Sequence, residues 1–198
     1  MTRDDWNRLY RGDAADSGTG TEEMFLAAAR EREPGRALDL GCGPGVLALA
    51  LAERGWTVTG VDFAEAAIGL ARRAAADRGL QVSFVVADFA EWSPAEPFDL
   101  VVSAYALPPR GAQRDVALAV ARRALAPGGT LVVAEWHASM AERWSFLRPE
   151  ELASRREVTA SLAGLAIERS DLLETEFEGA RARSVFVQAK RVEPRRRG

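Results

Sequence analysis

The chain has 198 residues, of which 47% are hydrophobic, so its length predicts a single well-buried domain, residues 1–198, and excludes two domains of ordinary size. The formal net charge is −3 and the one dense basic run, Arg195–Arg197, is short and terminal; we expect no nucleic-acid partner, and a disordered tail at 192–198. With no apolar run of bilayer length, no signal-peptide pattern and a single cysteine, Cys42, we expect a cytoplasmic protein without membrane contact, disulfide or metal.

Residues 1–33 are predicted to form an N-terminal helical arm that is interrupted by the glycine-rich stretch 12–20. Thr21 followed by Glu22 and Glu23 is a favourable helix start, and the apolar residues that follow supply a buried face. We expect this arm to lie over a ligand site formed by the next segment of the chain.

That segment is an apolar strand that ends in Asp39 and continues into a turn with glycines at positions 41, 43 and 45. Glycines permit a sharp turn and a close approach of a ligand to the backbone. A dinucleotide fingerprint would place its last glycine one position later, where Val46 stands, and the Lys and Ser/Thr of a phosphate-binding P-loop are missing. The turn therefore predicts a cofactor site for something other than NAD or a nucleoside triphosphate.

The run Leu38-Asp39-Leu40-Gly41-Cys42-Gly43-Pro44-Gly45 resembles the first motif of class I methyltransferases that use S-adenosylmethionine (SAM) and release S-adenosylhomocysteine (SAH). The resemblance implies that Asp39 interacts with the methionine amino group, often through water, and that Gly41 and Gly43 line the cofactor. The start of the chain and the segment 146–152 resemble small bacterial methyltransferases, of which the tellurite-resistance and thiopurine groups are the nearest named. That likeness implies a cofactor contact from Tyr10.

The second strand, 57–62, ends in Asp62, about twenty residues beyond the glycines, which is the spacing of a ribose-binding carboxylate. The family resemblance gives Asp62 the ribose hydroxyls and places Phe63 on the adenine face. A helix N-cap at Asp62 is an equally good interpretation of the residue by itself.

The third strand, 82–86, is followed by Asp88 and Phe89, which resemble the segment that binds adenine in the family. Asp88 would accept a hydrogen bond from the exocyclic amine. Alternatively, Asp88 is a turn residue, since aspartate is common after strands.

Strands at 98–103, 130–136, 165–173 and 182–190 alternate with helices at 46–54, 64–78 and 113–125, and a further helix is predicted to open near 148–152. This order predicts an α/β fold with a Rossmann-like, doubly wound, seven-stranded sheet. The family resemblance makes the last strand antiparallel to the others.

In an open α/β sheet the ligand lies beyond the carboxyl ends of the strands. This rule nominates the segment 103–105, with Ser103 and Ala104 on the cofactor side, and the segment 135–137. His137, the single histidine, is a candidate general base, and Tyr105 is a candidate for orienting the acceptor. Local hydrogen bonding of His137 and simple packing of Tyr105 are the alternatives.

Arg183, near the start of the last strand, matches an active-site arginine of the tellurite-resistance relatives and would suit an anionic substrate. A solvated strand end is the alternative for Arg183, and the histidine that accompanies that arginine in the relatives has no counterpart here. The motifs of enzymes that methylate nucleic-acid bases are also missing.

The sequence thus predicts a methyltransferase that moves a methyl group from SAM, by in-line displacement, to oxygen, nitrogen, sulfur or another chalcogen of a small molecule. A protein of this kind is expected to be a monomer or homodimer. The alternative is a SAM-binding module without catalysis, which serves as a regulator or partner.

Overall fold

A computed structural model describes residues 2–11, 22–88, 91–142, 148–177 and 180–192 of the chain. These residues form a seven-stranded sheet with helices on both faces. The strands are β1 (Arg36–Leu40), β2 (Thr57–Asp62), β3 (Val82–Val86), β4 (Phe98–Ala104), β5 (Leu125–Trp136), β6 (Ala166–Phe177) and β7 (Ala180–Lys190). The α-helices are α1 (Arg3–Arg11), α2 (Glu22–Arg30), α3 (Val46–Ala52), α4 (Glu65–Asp77), α5 (Ala112–Ala124) and α6 (Arg155–Ser161).

The strand order is β3-β2-β1-β4-β5-β7-β6. Strands β1 to β5 pair in parallel, whereas β7 is antiparallel to both β5 and β6, which confirms the predicted doubly wound sheet and its antiparallel last strand. The chain runs outward from β1 in one direction and from β4 in the other. This change of direction opens a crevice at the carboxyl ends of β1 and β4, where open α/β sheets bind ligands.

The core forms one layer on each face of the sheet. Helices α2, α3 and α4 pack on one face, where Phe25 of α2 meets Phe186 of β7 edge to face with 6.4 Å between ring centroids. Helices α5 and α6 pack on the other face through Leu118 and Val158, both fully buried. The face carrying α2 to α4 is called the α2 face below, and the other the α5 face.

The region after β5 differs from the sequence prediction. The helix predicted to open near 148–152 is only a 3₁₀ turn, Pro149–Glu151, and the α-helix begins later, at Arg155. Ser154 accepts the backbone N–H of Glu157 at 3.3 Å, and the Glu157 side chain reaches back to the N–H of Ser154, which is a capping box. The S-x-x-E pattern at 154–157 is the signal that marks this start.

No helix within the described ranges is long and apolar enough to cross a membrane. The predicted loop at 12–20, the side chain of Phe89 and the terminal arginine run at 195–197 lie outside the described residues.

Candidate cofactor and acceptor site

The turn after β1 adopts the backbone conformation that its glycines predict. Gly41, Gly43 and Gly45 have φ values of 73°, 52° and 86°, in the left-handed region that favours glycine. A Cβ at Gly45 would lie 2.9 Å from the Cβ of Ala71, so the turn also needs glycine there for packing against α4. The Gly41 N–H donates to the carbonyl of Val61 at 2.8 Å, which ties the turn to β2.

Asp39 lies beneath this turn with an unsatisfied carboxylate. Its side chain is 2% exposed, and its Oδ2 atom has no hydrogen-bond partner among the described residues. Burial, and then the charge of Asp62, raise the pKa of Asp39 to about 7, against a lowering by the Ala48 N–H. A cation with N–H donors would satisfy this oxygen and return the group to its ionised form, and the methionine ammonium of SAM is such a group.

Backbone N–H groups of Gly43, Phe63 and Ala64 hold Asp62 at the end of β2. Its Oδ2 accepts the N–H of Gly43 at 2.9 Å and its Oδ1 accepts the N–H of Ala64 at 2.8 Å. Ala64, and not Asp62, is the N-cap of α4. Each carboxylate oxygen has a second lone pair, so this arrangement fixes the carboxylate in place and leaves acceptor capacity for a ligand. The assignment of Asp62 to the ribose stays a prediction.

Helix α1 packs against α4 and reaches over the glycine turn. The hydroxyl of Tyr10 lies 3.1 Å from where a Cβ on Gly43 would be, and burial together with the charge of Asp62 raises the pKa of Tyr10. Asn7 accepts the backbone N–H of Ala66 at 2.9 Å through its Oδ1 atom. The N-terminus of α4 has no side-chain cap of its own, so Asn7 caps this helix from a different part of the chain. The contact of Tyr10 with a cofactor stays a prediction.

Replacing Asn7 with Ala is expected to lower the free energy of unfolding by about 1 kcal/mol, the usual cost of losing an N-cap. Chemical denaturation followed by circular dichroism measures the effect. Asn7→Asp is the matched control, because aspartate also caps helices and should retain most of the stability. Equal stability of Asn7→Ala and the wild type would show that the cap contributes nothing.

The residues expected near adenine are only partly described. Phe63 is half-buried after β2, and Asp88 is exposed after β3. The carbonyl of Asp88 accepts the N–H groups of Glu91 at 3.1 Å and Trp92 at 3.0 Å, so the backbone of Asp88 begins a turn. The adenine roles of Phe63, Asp88 and Phe89 stay predictions.

The carboxyl end of β4 carries an unusual backbone conformation. Tyr105 has φ 54° and is the one non-glycine residue with positive φ in the described part of the chain. Its N–H donates to the carbonyl of Ala134 at 2.8 Å, its hydroxyl lies 2.9 Å from the Oγ of Ser184, and its ring lies 4.2 Å from that of Trp136. These contacts hold the side chain on the α2 face.

The two residues before Tyr105 were also predicted to border the cofactor. Ser103 is fully buried, and its hydroxyl has no partner among the described residues. Ala104 is half-buried and packs against the core of the α2 face. Their cofactor contacts stay predictions.

Glu135 occupies the end of β5 on the α5 face and is 6% exposed. Its Oε1 accepts the N–H of Leu107 at 2.8 Å, and the N–H of Ala106 is a second donor. Burial is the main cause that raises the pKa of Glu135 to about 7. The sequence places Glu135 in the candidate pocket segment 135–137 without a role, and the signal that marks it is an acidic residue inside the apolar run 131–136.

His137 makes local hydrogen bonds. The N–H of Ser139 donates to its Nδ1 at 3.2 Å, and the Ser139 hydroxyl lies 3.0 Å from the same atom. A backbone donor at Nδ1 favours the neutral tautomer with the proton on Nε2. Burial and the charges of Arg183 and Arg155 lower the pKa of His137. The ring is therefore neutral at pH 7, with its Nδ1 lone pair engaged.

Arg183 is half-exposed and paired with Glu174 of the neighbouring strand at 3.1 Å. Successive residues of a strand point to opposite faces, so Arg183 and Ser184 lie on different sides of the sheet. Because the hydroxyl of Tyr105 meets Ser184, the structure does not bring Arg183 and Tyr105 together. Arg183 instead lies near His137, whose backbone N–H donates to its carbonyl at 3.0 Å.

Comparisons with known proteins agree with this fold and turn. Residues 37–129 match a family model described as a methyltransferase domain. A demethylmenaquinone methyltransferase from Thermus thermophilus is 46% identical over 111 residues, covering 54% of this chain and 50% of that protein. The chain thus spans about half the length of such curated relatives. Other matched relatives are named for acceptors as different as trans-aconitate and ribosomal RNA.

Solved structures give matches over nearly the whole chain. The N-methyltransferase NodS from Bradyrhizobium japonicum, in complex with SAH, has a TM-score of 0.74 at 22% identity and covers 95% of this chain and 97% of its own. TehB from Haemophilus influenzae has a TM-score of 0.71 at 18% identity and covers 95% of this chain and 66% of its own. Identities this low establish the fold alone.

The sheet topology defines the class I methyltransferase fold, with its cofactor turn after β1. The match at 37–129 indicates a methyltransferase domain over this part of the chain. The narrower resemblance to tellurite-resistance and thiopurine methyltransferases stays a prediction.

Proposed function

We propose that the protein transfers a methyl group from SAM to a small-molecule acceptor. The observation that carries the proposal is the buried Oδ2 of Asp39 beneath the glycine turn, which has no partner in the described part of the chain and calls for a cationic one. Gly43 and Asp62 complete the cofactor side of the site, with Tyr10 above the turn.

SAM, when bound, supplies a methyl group on a positively charged sulfur, which is already activated for displacement. Much of the acceleration can then come from alignment and exclusion of water. Tyr105 and Trp136 form an aromatic wall at the carboxyl ends of β4 and β5 that suits these tasks. This wall favours a flat acceptor, which agrees with the ring of the demethylmenaquinone named for one relative. Oxygen, nitrogen and sulfur or another chalcogen all stay open as the acceptor atom.

The test is SAH formation with a panel of quinols, phenols, carboxylic acids, amines and thiols, with each product checked by mass for one added methyl group. We expect turnover with at least one aromatic acceptor, and about 10- to 100-fold lower turnover at limiting SAM with Asp39→Asn. SAH binding without turnover on any acceptor would favour the alternative of a non-catalytic SAM-binding module. Failure to bind SAH would contradict both functions.

His137 is proposed to contact the acceptor through its Nε2 proton. With Nδ1 engaged by Ser139, the ring is better placed to donate a hydrogen bond than to remove a proton. We expect His137→Ala to lower kcat about 10-fold, the value of one hydrogen bond, and His137→Gln to restore most of it because glutamine also donates. A loss of roughly 10²-fold that Gln does not relieve, with loss of a pH dependence near the histidine pKa, would instead establish the base.

For Arg183 we propose at most a role in attracting an anionic acceptor toward His137, because its ion pair with Glu174 is half-exposed. The net charge of −3 supports an acceptor other than nucleic acid. Salt-sensitive RNA binding by a protein lacking residues 193–198 would contradict that. A cytoplasmic location and a monomeric or homodimeric state complete the proposal, to be measured by cell fractionation and light scattering.

A further inference from the structure

The segment 106–108, which follows Tyr105, is hydrogen-bonded on the α5 face by two buried charged side chains. Glu135 accepts the N–H groups of Ala106 and Leu107, and Arg114 of α5 donates to the carbonyl of Pro108 at 2.7 Å. Both side chains are nearly fully buried, on the α5 face of the sheet. The N–H groups of Ala106 and Leu107 and the carbonyl of Pro108 are thus all hydrogen-bonded from the α5 face.

Arg114 is itself fixed by further partners. It donates to the carbonyl of Glu151 at 2.7 Å and pairs with Glu157 of α6 at 3.2 Å. The charged groups that face Glu135 are therefore Arg114 from α5 and Glu157 from α6. Arg114 is thus fixed by two carbonyls and one carboxylate, and its charge also acts on Glu135, whose pKa it lowers.

Glu135 is separated from the ring of Tyr105 by the sheet. The carboxylate lies on the α5 face, whereas the ring and hydroxyl of Tyr105 contact Trp136 and Ser184 on the α2 face. Any influence of Glu135 on that ring passes through the backbone of Ala106 and Leu107. A tyrosine in the left-handed region is unfavourable by itself, so its surroundings must hold it there.

We propose that Glu135 is a positioning residue of the acceptor site, which holds Tyr105 in its left-handed conformation by accepting the N–H groups of Ala106 and Leu107. Tyr105 then presents its ring to Trp136 and its hydroxyl to Ser184. The part of this inference that concerns the acceptor rests on the proposed function. The part that concerns the conformation of Tyr105 does not.

Protonation of Glu135 weakens this hold, since a neutral carboxyl accepts weaker hydrogen bonds than a carboxylate. Burial raises the pKa of Glu135 to about 7, so the change falls within an accessible pH range. The left-handed conformation of Tyr105 should therefore be most stable above pH 7 and less stable below it.

The chain has two tyrosines, Tyr10 and Tyr105, so tyrosine labelled with ¹³C and ¹⁵N gives two backbone signals. The variant Tyr105→Phe assigns them. At pH 8, Glu135→Gln should shift or broaden the Tyr105 signal and leave the Tyr10 signal in place. In the wild type the Tyr105 signal should titrate with a midpoint near pH 7, and this titration should be lost in Glu135→Gln.

Glu174→Gln is the matched control, because Glu174 is an exposed carboxylate on β6 and should leave the Tyr105 signal unchanged. A Tyr105 signal that is the same in Glu135→Gln and the wild type overturns the proposal. If Glu135→Gln does not fold, the wild type decides: a Tyr105 signal constant from pH 5 to 9 overturns it.

Binding and kinetics separate this inference from the proposed function. Glu135→Gln should bind SAH within 2-fold of the wild type and, with an acceptor found by the panel, should raise the KM for that acceptor but not for SAM. If SAH binding fails in the wild type, the proposed function is wrong while the Tyr105 signals still test the role of Glu135. If Glu135→Gln displaces the Tyr105 signal but leaves the KM for the acceptor unchanged, Glu135 positions Tyr105 without affecting acceptor binding. That outcome would overturn only the part of the proposal that concerns the acceptor.

Discussion

Replacing Asp39 with Asn is expected to weaken SAH binding by about 10- to 100-fold, the cost of a charge-assisted hydrogen bond. The carboxylate is buried and its Oδ2 has no partner within the described residues, so the ligand ammonium would gain a contact that water cannot replace. Isothermal titration calorimetry measures the change. Asp99→Asn is a suitable control, since Asp99 lies on β4 at the amino-terminal edge of the sheet and bonds the N–H of Arg36.

The raised pKa of Asp39 predicts how SAH binding depends on pH. Without a ligand the pKa of Asp39 is about 7, and a bound ammonium lowers it, so binding below pH 7 must release a proton. The affinity for SAH should fall as the pH falls below 7, by at most about tenfold per unit. Titrations in buffers of different ionisation enthalpy count the proton released, and Asp39→Asn should release none from this site.

The unliganded protein should show the opposite dependence in its stability. The folded pKa of Asp39 lies above its unfolded value of 3.8, so between these values the folded state binds the proton more tightly. This group therefore increases stability as the pH falls from about 7 toward 4, and the gain is lost as the pH rises. Proton uptake instead of release on SAH binding would contradict the assignment of Asp39 to the ammonium.

Replacing Asp62 with Ala is expected to weaken SAH binding by about 10- to 100-fold through loss of charge-assisted bonds to the ribose. Asp62 also holds the N–H groups of Gly43 and Ala64, so a change in the turn contributes to the measured loss. Circular dichroism and thermal unfolding must first show that the variant folds. A drop in affinity by itself therefore does not establish the contact with the ribose.

A double-mutant cycle separates the two effects. The affinity of SAH is compared with that of its 2′-deoxy analogue in the wild type and in Asp62→Ala. If Asp62 binds the ribose, removing the hydroxyl weakens binding in the wild type and has a smaller effect in the variant. Equal losses in both proteins would assign Asp62 to the turn alone.

The parallel strands and the conformation of the glycine turn followed from local patterns in the sequence. The strands β2 and β3 were predicted with the bounds that the structure has, and β1 ends one residue later than predicted, at Leu40, because short apolar runs are local signals. The left-handed turn at Gly41, Gly43 and Gly45 followed for the same reason. The start of α6 was missed, although the capping box at Ser154 and Glu157 was present in the sequence.

The acceptor side could not be predicted in the same way, because its features join residues that are far apart in the chain. Tyr105 is held by Ser184 at a sequence separation of 79, and on the cofactor side Asn7 caps α4 at Ala66 at a separation of 59. No local pattern marks such pairs. The tautomer of His137, by contrast, depends on the nearby Ser139, whose position follows from the turn after β5.

The sequence by itself therefore determined the sheet, the cofactor turn and the two carboxylates at the ends of β1 and β2. These depend on hydrophobic periodicity and on glycine, which act over a few residues. Only the tertiary structure decided that Glu135 lies beneath the segment after Tyr105 and that Ser184, and not Arg183, meets the Tyr105 hydroxyl. Burial, strand pairing and long-range hydrogen bonds set those positions, and each of them exists only once the chain has folded.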